Sequence, residues 1–165
     1  MQPKILEKRK ITLLGMDFYG NVSQSGEAWS MGNVVGQLWQ RFNGFYEKKK
    51  ELIKHLASES GYELWIDFEG EEESQNQYVF IGVEVENLDE PPLELVARIL
   101  PETRYAVYTL KGNDIKSDWS FKLLDWVAEA NLEQSYTYII EYYDPARFKG
   151  MDSPDTELDI YVPVR

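Results

Sequence analysis

The chain contains no cysteine, which excludes disulfides, thiolate metal sites and a cysteine nucleophile. Its single histidine, His55, lies among lysines in KKKELIKHL. A metal site or a Ser-His dyad has no partners there, and a solvated helix end accounts for the residue. No apolar run approaches the ~20 residues of a membrane span, and the charged start MQPKILEKRK lacks the apolar stretch of a signal peptide. A phosphate-binding glycine loop and a nucleotide fingerprint are missing too, since GNVVG falls inside a helical pattern. Positive charge is scarce: 17 Lys and Arg stand against 29 Asp and Glu, for a net charge of -12. That balance opposes nucleic-acid binding and favours cationic partners. These absences lead us to expect a cytoplasmic protein without metal or cofactor, bound to neither membrane nor nucleic acid.

Rings, by contrast, are abundant. Aromatics make up 14% of 165 residues, 11 of them Tyr and five Trp. This exceeds what a core of that size requires and suggests a surface or cavity built from amphipathic rings.

Residues 4–16, KILEKRKITLLGM, read as extended, and GNVSQSGEAW as a polar loop. From Ser30, residues Val34, Val35, Leu38, Trp39, Phe42, Phe45 and Tyr46 recur at helical spacing, with an interruption expected at Asn43-Gly44. EKKKELIKHLASESG reads as a second helical piece ending at Gly61. YELWIDFEG alternates, with Glu63, Trp65 and Asp67 on one face and Leu64, Ile66 and Phe68 on the other. EEESQN is an acidic turn, and QYVFIGVEVENL alternates again. After the break DEPP come strands ELVARIL and RYAVYTLKG, a helix SDWSFKLLDWVAEA with Ser117 or Asp118 as its cap, and strands YTYIIEYYDP and ELDIYVPV.

The same order of elements thus occurs twice. We expect one α+β domain over 1–165, made of two βαββ units (4–88 and 94–165, linked by 89–93) with pseudo-twofold symmetry. Two helices pack on a mostly antiparallel sheet, with a ligand cleft between the halves. Aligning YELWIDFEG with YTYIIEYYDP sets Tyr62 on Tyr136 and Asp67 on Glu141.

Glu141 stands out as a carboxylate in the middle of a strand of tyrosines and isoleucines, where an ionised side chain needs either water or a cation. Glu141 and Tyr143 share a strand face. Trp65, a large ring beside Asp67 on a polar face, requires a covering partner. From the helices Trp39 and Trp119 are taken to reach the cleft, with Phe42 and Trp126 in the core. Tyr105 and Tyr108 lie on opposite faces of one strand, and Tyr108 is assigned to the cleft. The loop FKGMDSPDTE reads as a cover over it.

Four segments in order carry a resemblance: YVFIGVEVE, LPETRYAVYTLKG, YIIEYYDP and ELDIYVPV. Together they resemble the gyrase-inhibitor-like, or AraC-type, effector-binding domain, which also forms the drug-sensing half of some multidrug-responsive transcription regulators. The turn PETR departs from the family's proline, small residue and glycine. The resemblance implies two βαββ repeats around a cleft for bulky, often cationic small molecules, with Glu141 as the buried acid and Tyr143 as the motif tyrosine. Because the repeats span the whole sequence, it also implies a binder without a DNA-binding segment.

Three functions are ranked. The first is a binding module for lipophilic cations, in which Glu141→Gln lowers affinity for a cation more than for a neutral analogue. The second is a hydrolase of strained, drug-like electrophiles acting through Glu141. The third is a protein-binding, gyrase-inhibitor-like factor or homodimer that uses the acidic surface.

Overall fold

A computed structural model of the chain describes residues 1–22, 32–67 and 75–165. The start expected for the first helix at Ser30, the inward Phe68 and most of the polar loop and the acidic turn lie outside the described residues. The elements are β1 (Lys4–Lys8), β2 (Ile11–Gly20), α1 (Val34–Lys49), β3 (Leu56–Ile66), β4 (Gln77–Val85), β5 (Val96–Leu100), β6 (Thr103–Lys111), α2 (Trp119–Glu129), β7 (Tyr138–Tyr143) and β8 (Glu157–Val164). Each half therefore reads ββαββ, because the first extended segment breaks at Arg9-Lys10 just as the fifth and sixth strands break at Pro101-Glu102.

All eight strands join one antiparallel sheet in the order β1-β6-β8-β7-β3-β4-β2-β5. The order is palindromic in the two halves, with β3 and β7 at its centre. β1 stands at one end of that order and β2 next to last at the other, yet only two residues separate them. Such a link reaches about 11 Å at full extension, so the sheet must curl until its ends meet. The register carries across the bend without a slip: Lys4 faces Val107, Lys8 faces Thr103, Ile11 faces Leu100 and Gly15 faces Val96.

Curling creates an inside, and rings fill it. One cluster draws on all eight strands, including Leu6 of β1, Leu13, Leu64, Phe80, Leu100, Val107, Ile140 and Tyr161. Tyr62, Tyr78, Tyr105, Tyr138, Tyr142 and Tyr161 all belong to it, so much of the ring excess serves this core and not a binding site. Five of the six hydroxyls are hydrogen-bonded: Tyr105 and Tyr138 share a 2.8 Å bond, Tyr62 donates to Glu84 at 2.6 Å, Tyr78 to Asp17 at 2.7 Å and Tyr142 to Ser60 at 2.9 Å. A buried hydroxyl without such a partner costs about 1–3 kcal/mol.

The helices cover the outer face in two separate patches. Leu38, Phe42 and Phe45 of α1 pack on Leu14, Val79, Ile81, Val83 and Val85. Trp119, Leu123 and Val127 of α2 pack on Ala106, Tyr108, Leu110, Leu158, Ile160 and Val162. Asn33 caps α1 by accepting the Gly36 N–H at 2.8 Å. Asn43-Gly44 does not interrupt this helix, which runs on to Lys49. The expected second helical piece is instead a short 3-10 turn at Lys50–Leu52 followed by β3 from Leu56, where Leu56 pairs with Val85. The register with β4 shifts between Leu56 and Gly61, so LASES is extended despite its poor strand propensity and with only Leu56 paired to β4. Asp118 precedes α2, but its carboxylate takes Lys122 at 2.7 Å and makes no capping bond. Among the described residues no helix is long and apolar enough to cross a membrane.

Candidate functional site

β3 and β7 lie side by side at the centre, with Gly61 opposite Tyr143, Glu63 opposite Glu141 and Trp65 opposite Ile139. Alternation sends the neighbours Tyr62, Leu64, Tyr138 and Ile140 into the inner core. The odd-numbered set therefore faces outward, into the gap between α1 and α2. A cavity of about 1190 Å³ opens there. α1 contributes Trp39, Phe42 and Tyr46, α2 contributes Trp119 and Leu123, and the segment after β7 contributes Phe148 and Met151.

Two carboxylates form its floor. Glu63 is 3% exposed and Glu141 4%, and facing residues in an antiparallel pair have Cβ atoms about 4.5–5.5 Å apart. Glu63 accepts the indole N–H of Trp39 at 2.6 Å and that of Trp65 at 2.8 Å, with the Tyr143 hydroxyl at 3.4 Å. Glu141 accepts the same Tyr143 hydroxyl at 2.9 Å. No described Lys, Arg or His forms an ion pair with either carboxylate. Lys116, at the rim, is paired with Asp152.

The electrostatics follow from this arrangement. Burial raises the pKa of Glu63, and its three hydrogen-bond donors oppose the rise. Burial and the facing Glu63 push Glu141 well above the ordinary carboxylate range, with Tyr143 and then Trp65 pulling the other way. Tyr143 is itself pushed up, by burial first and by the two carboxylates next. Two like charges this close do not both ionise without a third charge to offset them.

The ring walls have defined geometry. Trp39 meets Tyr143 edge-on at 5.1 Å, and Tyr143 meets Phe148 edge-on at 4.8 Å. Gly61 makes the approach of Trp39 possible, because a Cβ there would come within 2.8 Å of the indole Cη2. The segment after β7 is tied down as a wall: Arg147 binds Glu157 and Asp159, and the Lys149 N–H donates to Thr156 at 2.9 Å.

Of the residues singled out in the sequence, Glu141, Tyr143, Trp65, Trp39, Trp119 and Asp67 line this cavity. Asp67 is exposed at its edge. Trp119 forms an apolar wall, 3% exposed, and its indole N–H is spent on the Ile115 carbonyl at 3.1 Å. Tyr108 does not line the cavity: it is fully buried under α2 against Trp126, 5.6 Å between ring centres. The alignment that set Asp67 on Glu141 is displaced, since Glu63 is the residue facing Glu141. Glu63 was not among the expected site residues. Its signal was its position two residues before Trp65 on the same strand face.

Among the described residues no cluster of His, Asp and Glu has the arrangement of a metal site. The His55 carbonyl accepts the Glu86 N–H.

Comparison with known proteins places this geometry. The curated transcriptional regulator BrlR of Pseudomonas aeruginosa is 28% identical over 99% of this chain. The chain spans 56% of that protein's length. The solved structure of SAV2435 bound to tetraphenylphosphonium superposes with a TM-score of 0.70 at 14% identity, covering 100% of this chain and 94% of that one. The EcmrR C-terminal domain gives 0.66 at 12% identity, covering 99% and 97%. The pattern of the GyrI-like small molecule binding domain matches residues 1–165, and the chain belongs to that family.

Proposed function

We propose that this chain binds bulky, lipophilic cations in the cavity between α1 and α2, with the facing pair Glu63 and Glu141 as the counter-charge. The observation that carries the reading is the pair itself: two buried carboxylates, with no ion-pair partner among the described residues, on the floor of a ring-lined cavity. Burying a carboxylate is unfavourable until a positive charge joins it, and a lipophilic cation supplies that charge while burying its own apolar surface. Rings around the cation add about 0.5–2 kcal/mol per contact. The tetraphenylphosphonium held by SAV2435, a protein of the same fold, is a ligand of this kind and supports the choice of probe.

The test is thermal stabilisation by tetraphenylphosphonium, by neutral triphenylphosphine oxide and by tetraphenylborate. A ligand at a hundredfold excess over its Kd stabilises by about 2.7 kcal/mol, equivalent to a rise of roughly 5–10 °C for a chain of this size. The cation is expected to give that rise, with smaller shifts from the neutral compound and none from the anion. Because the two carboxylates share the charge, the decisive variant is the double substitution Glu63→Gln with Glu141→Gln, which should remove the preference for the cation. Equal shifts with the cation and the neutral compound overturn the reading.

A further inference from the structure

The cavity floor carries two acids where one would neutralise a monocation, and the second acid has no explanation in the reading above. The two are held unequally. Glu63 receives both indole N–H groups, from Trp39 and Trp65, which favour its ionised form. Glu141 has the Tyr143 hydroxyl, and a hydroxyl has one proton to donate: it stands 2.9 Å from Glu141 and 3.4 Å from Glu63. The environment offers little else to either acid. The titratable and charged groups lining the cavity are Glu59 from β3 and Asp67 just after it, Tyr143 from β7, Tyr46 from α1, and Lys116 and Asp118 ahead of α2; Tyr138 touches its edge, its hydroxyl held by Tyr105 in the inner core. Glu59 is paired with Lys50, Lys116 with Asp152 and Asp118 with Lys122.

We propose that Glu63 and Glu141 form an adjustable counter-charge, keeping one proton between them when the cavity is empty or holds a monocation and releasing it to water when a dication enters. The pair thus presents one negative charge to a monocation and two to a dication, and the filled site is neutral in both cases. The class of ligand assigned here is an aromatic dication whose positive centres lie about as far apart as two facing side chains, roughly 5 Å. A cavity of about 1190 Å³ exceeds the ~300–1,000 Å³ typical of drug-sized sites and has room for a two-centred ligand. The burial of Glu141 beside Glu63 supports the assignment of the exchangeable proton to Glu141.

This inference rests on the proposed function, and the experiment separates the two. Tetraphenylphosphonium and ethane-1,2-bis(triphenylphosphonium) are titrated into the protein by calorimetry in buffers of different ionisation enthalpy, which counts protons released per ligand. The expected counts near neutral pH are none for the monocation and about one for the dication. As pH rises by about one unit toward neutrality the dication's Kd should tighten about tenfold while the monocation's stays flat. In Glu141→Gln the dication should release no proton and lose its advantage over the monocation. Equal proton counts for the two cations in the wild-type protein overturn the adjustable pair and leave cation binding intact. Failure of both cations to bind overturns the proposed function, and this inference with it.

Discussion

Replacing Glu141 with Gln should make the empty protein more stable, by an amount that grows with pH. Burial and the facing Glu63 raise the folded-state pKa of Glu141 above its unfolded value. A group shifted upward stabilises the fold fully below its unfolded pKa and loses that contribution as pH rises through the folded value. Between the two, the native state holds one proton that the unfolded chain has released, so wild-type stability falls by about 1.4 kcal/mol per pH unit. For a chain of this length that corresponds to a melting temperature lower by roughly 3–6 °C per unit. Glutamine keeps the shape and cannot ionise, so the Glu141→Gln curve lacks this slope. The assay is thermal melting followed by circular dichroism from mildly acidic to mildly alkaline pH, read as the difference between variant and wild type. Other titrating groups largely cancel in that difference. A gap that stays flat with pH, or one in which the wild type gains on the variant as pH rises, would refute the reasoning.

Three further outcomes are expected. The Tyr108 hydroxyl is buried without a hydrogen-bond partner among the described residues, so Tyr108→Phe should raise stability by about 1 kcal/mol in a denaturant melt and leave cation affinity unchanged. Gly61→Ala places a Cβ within 2.8 Å of the Trp39 indole; displacing that ring from Glu63 should weaken tetraphenylphosphonium binding by about tenfold, roughly 1.4 kcal/mol, and shift tryptophan fluorescence. Arg147 joins Glu157 to the buried Asp159, so Arg147→Ala should cost about 2–3 kcal/mol of stability in urea unfolding. Thr109, which still donates to Asp159 at 2.6 Å, keeps the loss from being larger.

The central strands were legible because their alternation is strong. YELWI and YIIEY each put a wholly apolar set on one face (Tyr62, Leu64 and Ile66; Tyr138, Ile140 and Tyr142) and a glutamate on the other, and both became parts of the adjacent strands β3 and β7. The isolated carboxylate in a strand of rings drew attention to Glu141 for a physical reason that the structure shares: it is buried, with no ion-pair partner among the described residues. Register between strands far apart in sequence was not legible. Alternation shows which residues share a face, but not which residue of another strand stands opposite, so Asp67 was matched to Glu141 and Glu63 was passed over. Tyr108 illustrates a second limit. Both faces of β6 are buried, one inside the curl and one under α2, and a strand covered on both sides does not reveal which face opens on a cavity. The start of β3 was misread because Leu56 to Ser60 has the composition of a helix end; it is extended there, pairing with β4 at Leu56 and again, after a shift of register, from Gly61.

The exchange of first strands has a consequence for what a single half can do. β1 belongs by sequence to the first half but completes the edge of β6, and β5 likewise completes the edge of β2. Cut between β4 and β5, each fragment would carry a strand with no edge of its own to pair with and would leave bare the edge its twin should cover. An exposed edge of that kind is a template for another chain. The two halves are therefore interlocked as partners in a domain-swapped dimer are, with residues 86–95 joining them. A severed pair should reassemble when mixed, and either piece alone should associate with itself.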